Sequence, residues 1–177
     1  MRWMWIDRVV EFEPRQRLVA IKNVSLAEEH LHDHFPAQGD REPLPIMPAS
    51  LMIEGMAQTA GILVGSAGDF KEKVILAKIV RAHFERDVLA GDTVRYDARV
   101  QRLDPAGAAT DGTVSRRGPD ESTWETIGNI ELLFSHVDQA MSGVDVPDHN
   151  FVFGENLRII LQGVGLAEVE AGHKTTH

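Results

Sequence analysis

The sequence predicts an α+β domain in which a largely antiparallel sheet packs around one central helix. Residues 49–65 are apolar or small nearly all round, which is typical of a helix that is buried on most sides. Four segments of strand-like composition follow this helix with no second helix between them. Because helices and strands do not alternate, an α+β layer architecture is favoured over a doubly wound parallel sheet.

The chain opens with a predicted strand pair at residues 9–12 and 17–24, with Glu13 and Pro14 as the turn signal between them. Residues 25–48 show no regular pattern, because a glycine and four prolines interrupt them. A long ordered loop inside a compact domain is usually functional. This loop is therefore the first place to look for a site.

The central helix begins after Pro48, a residue suited to a helix start. Gly55 and Gly61 lie in its interior, where each costs about 1 kcal/mol relative to alanine. We expect close packing against a sheet or a partner backbone as the compensation. Downstream, strands joined as hairpins are predicted at residues 73–88, 92–103, 108–115 and 124–137, separated by turns that contain glycine or proline.

The length of 177 residues fits a single compact domain. Residues 1–137 are predicted to form this domain. The pattern weakens afterwards, so residues 138–177 are interpreted as a C-terminal appendage, with a short helix at residues 155–162 and a mobile end.

Composition and charge limit the classes of function. The net charge of -9 argues against general binding to nucleic acid or to an anionic membrane, since both require clustered lysine and arginine. An acidic partner would need a local basic patch, although such arginines are more often solvated on strand faces. The candidates are Arg81 with Arg86, the series Arg95, Arg99 and Arg102, and the pair Arg116 and Arg117.

No stretch approaches the roughly 18 consecutive apolar residues of a membrane span. Asp7 also interrupts the N-terminal apolar residues before a signal peptide could develop. A cytoplasmic protein is therefore expected. The chain contains no cysteine, which excludes disulfides, thiolate nucleophiles and thiolate metal ligands.

Two ionisable residues stand out as candidates for proton transfer. Glu54 is the one carboxyl group within the apolar helix, and a buried, protonated glutamic acid can act as a general acid. The alternative is that Glu54 caps a polar network or lies at a subunit interface. His34 lies in the proline-rich loop, and histidine can accept a proton near neutral pH. The free N–H groups at the start of the helix, near Ala49, could polarise a carbonyl oxygen.

The same segment raises two other possible chemistries. His30, His32 and His34 alternate, so in an extended strand they would share a face and, with Asp33 or Glu54, could bind zinc or iron. We favour a site without metal, because the helix carboxyl already provides for proton transfer. Serine hydrolysis is disfavoured, since Ser50 lacks the glycine-flanked turn of a nucleophile elbow.

Several segments resemble the 3-hydroxyacyl-[acyl-carrier-protein] dehydratases of the FabZ type, and they occur in the family's order across about residues 3–135. They are IDRV (6–9), AIKNV (20–24), HFP (34–36), PIMP (45–48), EGMAQTAG (54–61), HFER (83–86) and GD (91–92). The resemblance implies a hot-dog fold, a sheet wrapped around a central helix. It also implies a homodimer with active sites at the subunit interface, and a trimer of dimers as a further assembly to consider.

The resemblance also implies a reaction, the dehydration of 3-hydroxyacyl thioesters to trans-2-enoyl thioesters in fatty-acid or related lipid synthesis, with no cofactor. His34 would take the C2 proton, Glu54 of the other subunit would help to expel the hydroxyl, and the Ala49 N–H would hold the thioester oxygen. The substrate would be carried by acyl carrier protein or by coenzyme A. The acyl chain would run along apolar residues, namely Met52, Met56, Ile79 and Phe84.

Three departures from the family pattern bear on specificity. Residues 37–44 contain an apparent insertion, Ala49 stands where the family usually has glycine, and Asp87 stands where it tends to have proline. Two alternatives to a dehydratase follow. One is a hot-dog thioesterase in which Glu54 activates water, and the other is a catalytically silent module that binds an acyl carrier. Retention of both His34 and Glu54 favours the dehydratase.

Overall fold

The computed structural model describes residues 4–137, together with residues 160 and 161. Within this part of the chain there are six strands and two helices. In chain order they are β1 Arg8–Glu13, β2 Arg17–Asn23, α1 Glu29–Asp33, α2 Ala49–Ser66, β3 Lys73–Phe84, β4 Thr93–Asp104, β5 Gly107–Arg117 and β6 Glu125–Val137. The predicted α+β architecture is confirmed, and α2 ends one residue beyond the predicted range.

The six strands form one antiparallel sheet with the order β1-β2-β4-β5-β6-β3. The predicted hairpins are correct for β1–β2 and for β4–β5–β6. They are wrong for β3, which pairs with β6 at the far edge of the sheet while β4 pairs with β2. The reason is that α2 crosses the sheet between β2 and β3, so the chain returns at the opposite edge. Strand β3 also ends at residue 84, four residues before the predicted end.

The core lies between α2 and the inner face of this sheet. Helix α2 packs against β2, β3, β4, β5 and β6, and eleven of its eighteen residues are buried. Gly55 lies directly under the ring of Tyr96, which is fully buried, and an added Cβ there would overlap that ring. The expected compensation for a helix glycine is therefore found at Gly55. Within the protomer it is not found at Gly61, where an added Cβ would meet only Phe134 at 3.6 Å, and packing of Gly61 against a partner subunit stays a prediction.

The loop between β2 and α2 contains structure that the sequence did not predict. Residues 29–33 form the short helix α1, so the interpretation of the alternating histidines as one face of an extended strand is wrong. The apparent insertion forms a tight turn, in which Gln38 and Arg41 exchange two backbone hydrogen bonds of 3.2 Å. Gly39 takes a φ of 60° in this turn, a conformation that glycine adopts without strain.

Two residues of the C-terminal segment are described. Ile160 and Leu161 are helical and are buried against the core, whereas the rest of the predicted helix at residues 155–162 lies outside the described residues. The mobility expected for the end of the chain also falls outside them, and the division at residue 137 stays a prediction. Neither of the two described helices combines the length and apolarity needed to cross a membrane.

The two helix glycines give a matched test of this packing. We expect Gly55→Ala to lower the free energy of unfolding by about 1–3 kcal/mol, because the new methyl group displaces the buried Tyr96 ring. Gly61→Ala should lower it by less than Gly55→Ala does, because within the protomer an added Cβ there meets only Phe134, at an ordinary contact distance of 3.6 Å. Urea unfolding of both variants measures the difference. Equal effects of the two substitutions would contradict this account of the core.

Candidate active site

An open groove of about 840 Å³ runs beside the N-terminus of α2. Four parts of the chain form it. They are the loop after α1, the first turn of α2, the end of β3 with its connection to β4, and Arg116 of β5. Its apolar lining consists of Phe35, Leu44, Ile46, Met47, Ala49, Met52, Phe84 and Leu89. Its polar lining consists of His34, Glu85, Arg86, Asp87, Asp92 and Arg116.

His34 lies in the groove at the C-terminal end of α1, and three contacts hold it. Its backbone N–H donates to the carbonyl of His30 at 3.2 Å, and its ring packs on Phe35 with 4.3 Å between centroids. Its Nδ1 lies 2.8 Å from the carbonyl oxygen of Ile46. Because a carbonyl can only accept a hydrogen bond, Nδ1 carries the proton in this contact. In the neutral ring, Nε2 is then the atom with a free lone pair.

The N-terminus of α2 forms the neighbouring wall of the groove. Ala49, its first residue, is exposed and has a helical backbone, so the Cβ that alanine adds causes no left-handed strain. Pro48 precedes it and provides no side-chain cap. Within the described part of the chain, no hydrogen bond engages the N–H of Ala49. This donor and the positive end of the helix dipole are available to a carbonyl oxygen.

The residues predicted to line an acyl path divide into two groups. Met52 and Phe84 do line the groove. Met56 instead lies in the core against Gly112, and Ile79 is 45% exposed on β3, so neither belongs to the lining of the groove in one protomer.

Glu54 does not line the groove that contains His34. It lies on α2 in a partly exposed stripe that also contains Ile53 and Gly61, so it is not fully buried in the protomer. Its Oε1 accepts a hydrogen bond of 2.9 Å from Nε2 of Gln58, one turn along the helix. One protomer therefore brings together His34, Ala49, Met52 and Phe84 in one groove, and Glu54 is not part of its lining.

The polar end of the groove is a cluster of paired charges that the sequence did not identify as a unit. Arg116 lies within 3.6 Å of the carboxylates of Asp92, Glu121 and Glu125. Burial lowers the pKa of Arg116, but these three carboxylates outweigh burial and raise it. Asp92 is buried and accepts a hydrogen bond from the N–H of Leu89 at 3.0 Å. The only signal in the sequence was the Gly91-Asp92 turn.

Most arginines of the predicted basic patches are already paired, which weakens those patches as docking sites. Ion pairs join Arg81 to Glu131, Arg86 to Glu125, Arg95 to Glu11, Arg99 to Asp97 and Arg102 to Asp104. Arg117 has no ion pair within the described residues, and its guanidinium lies 4.7 Å from the ring centroid of Trp124. Nor do residues 4–137, 160 and 161 contain a group of three histidine or carboxylate side chains placed to hold a metal ion.

Comparison with protein families gives one match over most of the chain, the FabA-like domain at residues 2–115. Several proteins named 3-hydroxyacyl-[acyl-carrier-protein] dehydratase FabZ are similar to this chain in sequence. That of Symbiobacterium thermophilum is 40% identical over 55% of this chain and 66% of its own length. That of Koribacter versatilis is 39% identical over 54% of this chain and 58% of its own length. In both cases the match covers less than two thirds of the relative. That of Pelotomaculum thermopropionicum is 33% identical over 75% of this chain and 87% of its own length. These matches confirm the resemblance drawn from the sequence motifs.

Solved structures share the fold at low sequence identity. The dehydratase heterocomplex ApeI:P of Xenorhabdus doucetiae has a TM-score of 0.56 and 16% identity, covering 77% of this chain and 85% of that one. PaaI of Escherichia coli has a TM-score of 0.55 and 12% identity, covering 76% of this chain and 81% of that one. An acyl-CoA hydrolase of Staphylococcus aureus has a TM-score of 0.53 and 14% identity, covering 70% of this chain and 67% of that one. At these identities the likeness shows the fold alone, and the predicted hot-dog fold is confirmed.

The contact between His34 and Ile46 predicts the tautomer of the free enzyme. We expect neutral His34 to carry its proton on Nδ1, because the Ile46 carbonyl can only accept. Long-range 1H–15N correlation spectra distinguish the two tautomers, and His34→Ala identifies the His34 signals among those of the eight histidines. A proton on Nε2 would contradict this reading of the groove.

Proposed function

The chain belongs to the FabA-like domain family, and from that premise we propose that it removes water from 3-hydroxyacyl thioesters to give trans-2-enoyl thioesters. The observation that carries the proposal is the groove in which His34, oriented by the Ile46 carbonyl, faces the same space as the free N-terminus of α2. The names of the FabZ relatives, 3-hydroxyacyl-[acyl-carrier-protein] dehydratases, support the reaction. Its place in fatty-acid or related lipid synthesis is part of the proposal. The enzyme would be a hydro-lyase that needs no cofactor.

In the proposed reaction, Nε2 of His34 takes the proton from C2 of the bound thioester. The electron pair of the broken C2–H bond forms the C2=C3 double bond as the C3–O bond breaks. Glu54 gives a proton to the departing hydroxyl, which leaves as water, and the proton on His34 then returns to Glu54 through solvent. The N–H of Ala49 donates to the thioester oxygen, where negative charge develops as C2 loses its proton.

Glu54 would reach this reaction from the partner subunit of a homodimer. Its position on a partly exposed stripe of α2, away from the His34 groove of its own protomer, supports that assignment. A carboxyl on this surface can serve a second protomer that covers the stripe. Two equivalent sites would then form, each with His34 of one chain and Glu54 of the other, as a two-fold interface requires.

Strand β3 supports the dimer. It is an edge strand whose residues 75–83 are all exposed, and its unpaired backbone groups can bond to another strand. Ile75, Leu76, Ile79 and Val80 are between 37% and 48% exposed on it. A second copy that pairs along β3 would bury these side chains. The trimer of dimers stays a prediction, as does the cytoplasmic location.

For the substrate, we propose a thioester of acyl carrier protein, as the names of the relatives indicate, with a coenzyme A thioester as the alternative. The acyl chain would lie along Met52 and Phe84, which line the groove beside His34. Met56 and Ile79 would contribute only if the dimer extends the groove towards them. The tight turn at residues 38–41 lies in the loop that forms the groove, where it would shape the mouth.

The direct test is to incubate the purified protein with 3-hydroxybutyryl and crotonyl thioesters of acyl carrier protein and of coenzyme A. We expect reversible hydration, followed by absorbance of the enoyl thioester, with no release of free thiol. His34→Ala and Glu54→Gln should each lower kcat by at least about a hundredfold, because each removes a group that transfers a proton. Thiol release would support a thioesterase, binding without turnover would support a silent carrier module, and full activity in both variants would contradict the assigned residues.

The dimer is tested by a pair of valines that both lie at a bulge of an edge strand, Val80 on β3 and Val10 on β1. They are 48% and 38% exposed in the protomer. We expect Val80→Lys to convert the dimer to a monomer, because a lysine on a pairing edge prevents strand addition. Val10→Lys should remain a dimer. Light scattering coupled to size exclusion measures both masses, and a dimeric Val80→Lys variant would contradict the proposed interface.

A further inference from the structure

Two hydrogen bonds in series join the N-terminal segment of the chain to Glu54. The backbone N–H of Trp5 donates to Oε1 of Gln58 at 2.9 Å, and Nε2 of Gln58 donates to Oε1 of Glu54 at 2.9 Å. The first of these bonds is buried and the second is partly buried. The residues are far apart in sequence, since Trp5 precedes β1 whereas Gln58 and Glu54 lie on α2.

The first bond determines the direction of the second. A side-chain amide can turn over, presenting either its oxygen or its amino group to a given neighbour. A peptide N–H can only donate, so the N–H of Trp5 requires the oxygen of Gln58 to face it. The amino group of Gln58 must then face Glu54 and donate to it. Loss of the Trp5 N–H would remove a contact that fixes this orientation.

Trp5 is itself held in place by packing and by the adjoining backbone. It is 8% exposed, and its ring meets the ring of His30 edge-on with 5.0 Å between centroids. Two residues later, the N–H of Asp7 donates to the carbonyl of Ile21 on β2 at 2.7 Å. Residue 5 is thus held next to α1 by its ring and next to β2 by the adjoining backbone. The position of its N–H therefore does not depend on α2 alone.

We infer that Trp5 is a positioning residue for Glu54 and acts through its main-chain N–H by fixing the amide of Gln58. This inference rests on the proposed role of Glu54. Because Gln58 occupies Oε1, the other carboxyl oxygen, Oε2, is the one presented to the hydroxyl of the substrate. Among the described residues Oε2 has no hydrogen-bond partner, so it is available for that proton transfer.

The test separates the N–H of residue 5 from its side chain. Trp5→Pro removes the donor, whereas Trp5→Phe keeps the donor and an aromatic ring beside His30. We expect Trp5→Pro to lower kcat for crotonyl-thioester hydration by about tenfold to a hundredfold, the range for a lost hydrogen bond to the carboxylate that Glu54 becomes when its proton is transferred. KM should change little, because the His34 groove is untouched. Trp5→Phe should retain a kcat close to that of the wild type.

A second variant keeps the inference testable if Trp5→Pro does not fold, which thermal unfolding would reveal. Gln58→Met preserves the volume of the side chain but removes its hydrogen bonds to Trp5 and to Glu54. It should lower kcat with little change in KM, and adding Trp5→Pro to it should cause no further loss, because both changes break the same series of bonds. A residue with only a structural role would not give this split between kcat and KM.

The outcomes are distinct. An active wild type whose Gln58→Met variant retains full kcat overturns this inference alone, as does a folded Trp5→Pro variant with unchanged kcat. Equal losses in Trp5→Pro and Trp5→Phe also overturn it, since the ring and not the N–H would then matter. A wild type that hydrates no enoyl thioester overturns the proposed function and, with it, the role assigned to Trp5.

Discussion

The enclosure of α2 by the sheet is the constraint on which the rest of this structure depends. An apolar helix of eighteen residues cannot remain in water, and five strands of the protomer pack against it. That enclosure requires close contact at Gly55, where the Tyr96 ring occupies the space of a side chain. It also sends the chain across the sheet, so β3 becomes an exposed edge. The helix stripe that contains Glu54 stays partly uncovered, and both features leave room for a second protomer.

The same helix supplies two different parts of the proposed chemistry. Its N-terminus, at Ala49, opens into the groove with His34, whereas Glu54 lies further along and away from that groove. In the proposed dimer, each protomer would contribute to a shared site the part that the other lacks. The N-terminal segment then adds a support for Glu54 through Gln58.

Much of this architecture could be predicted from the sequence, because its signals are local. The apolar run of α2 and the turn residues between strands predicted α2 and the six strands to within a few residues, and the motifs around His34 and Ala49 pointed to the groove. The position of β3 could not be predicted, since strand order depends on pairing between distant segments. Helix α1 was missed because it has only five residues and no capping side chain. The role inferred for Trp5 depends on a main-chain group, which the residue type does not reveal.

In the proposed dimer, one catalytic site combines His34 of one chain with Glu54 of the other. Co-expression of His34→Ala chains with Glu54→Gln chains tests it most directly. Random pairing of the two gives heterodimers with one intact site each, so the mixture should recover about a quarter of wild-type dehydratase activity although either variant alone is inactive. A mixture that contains heterodimers but remains as inactive as the separate variants would contradict a shared site.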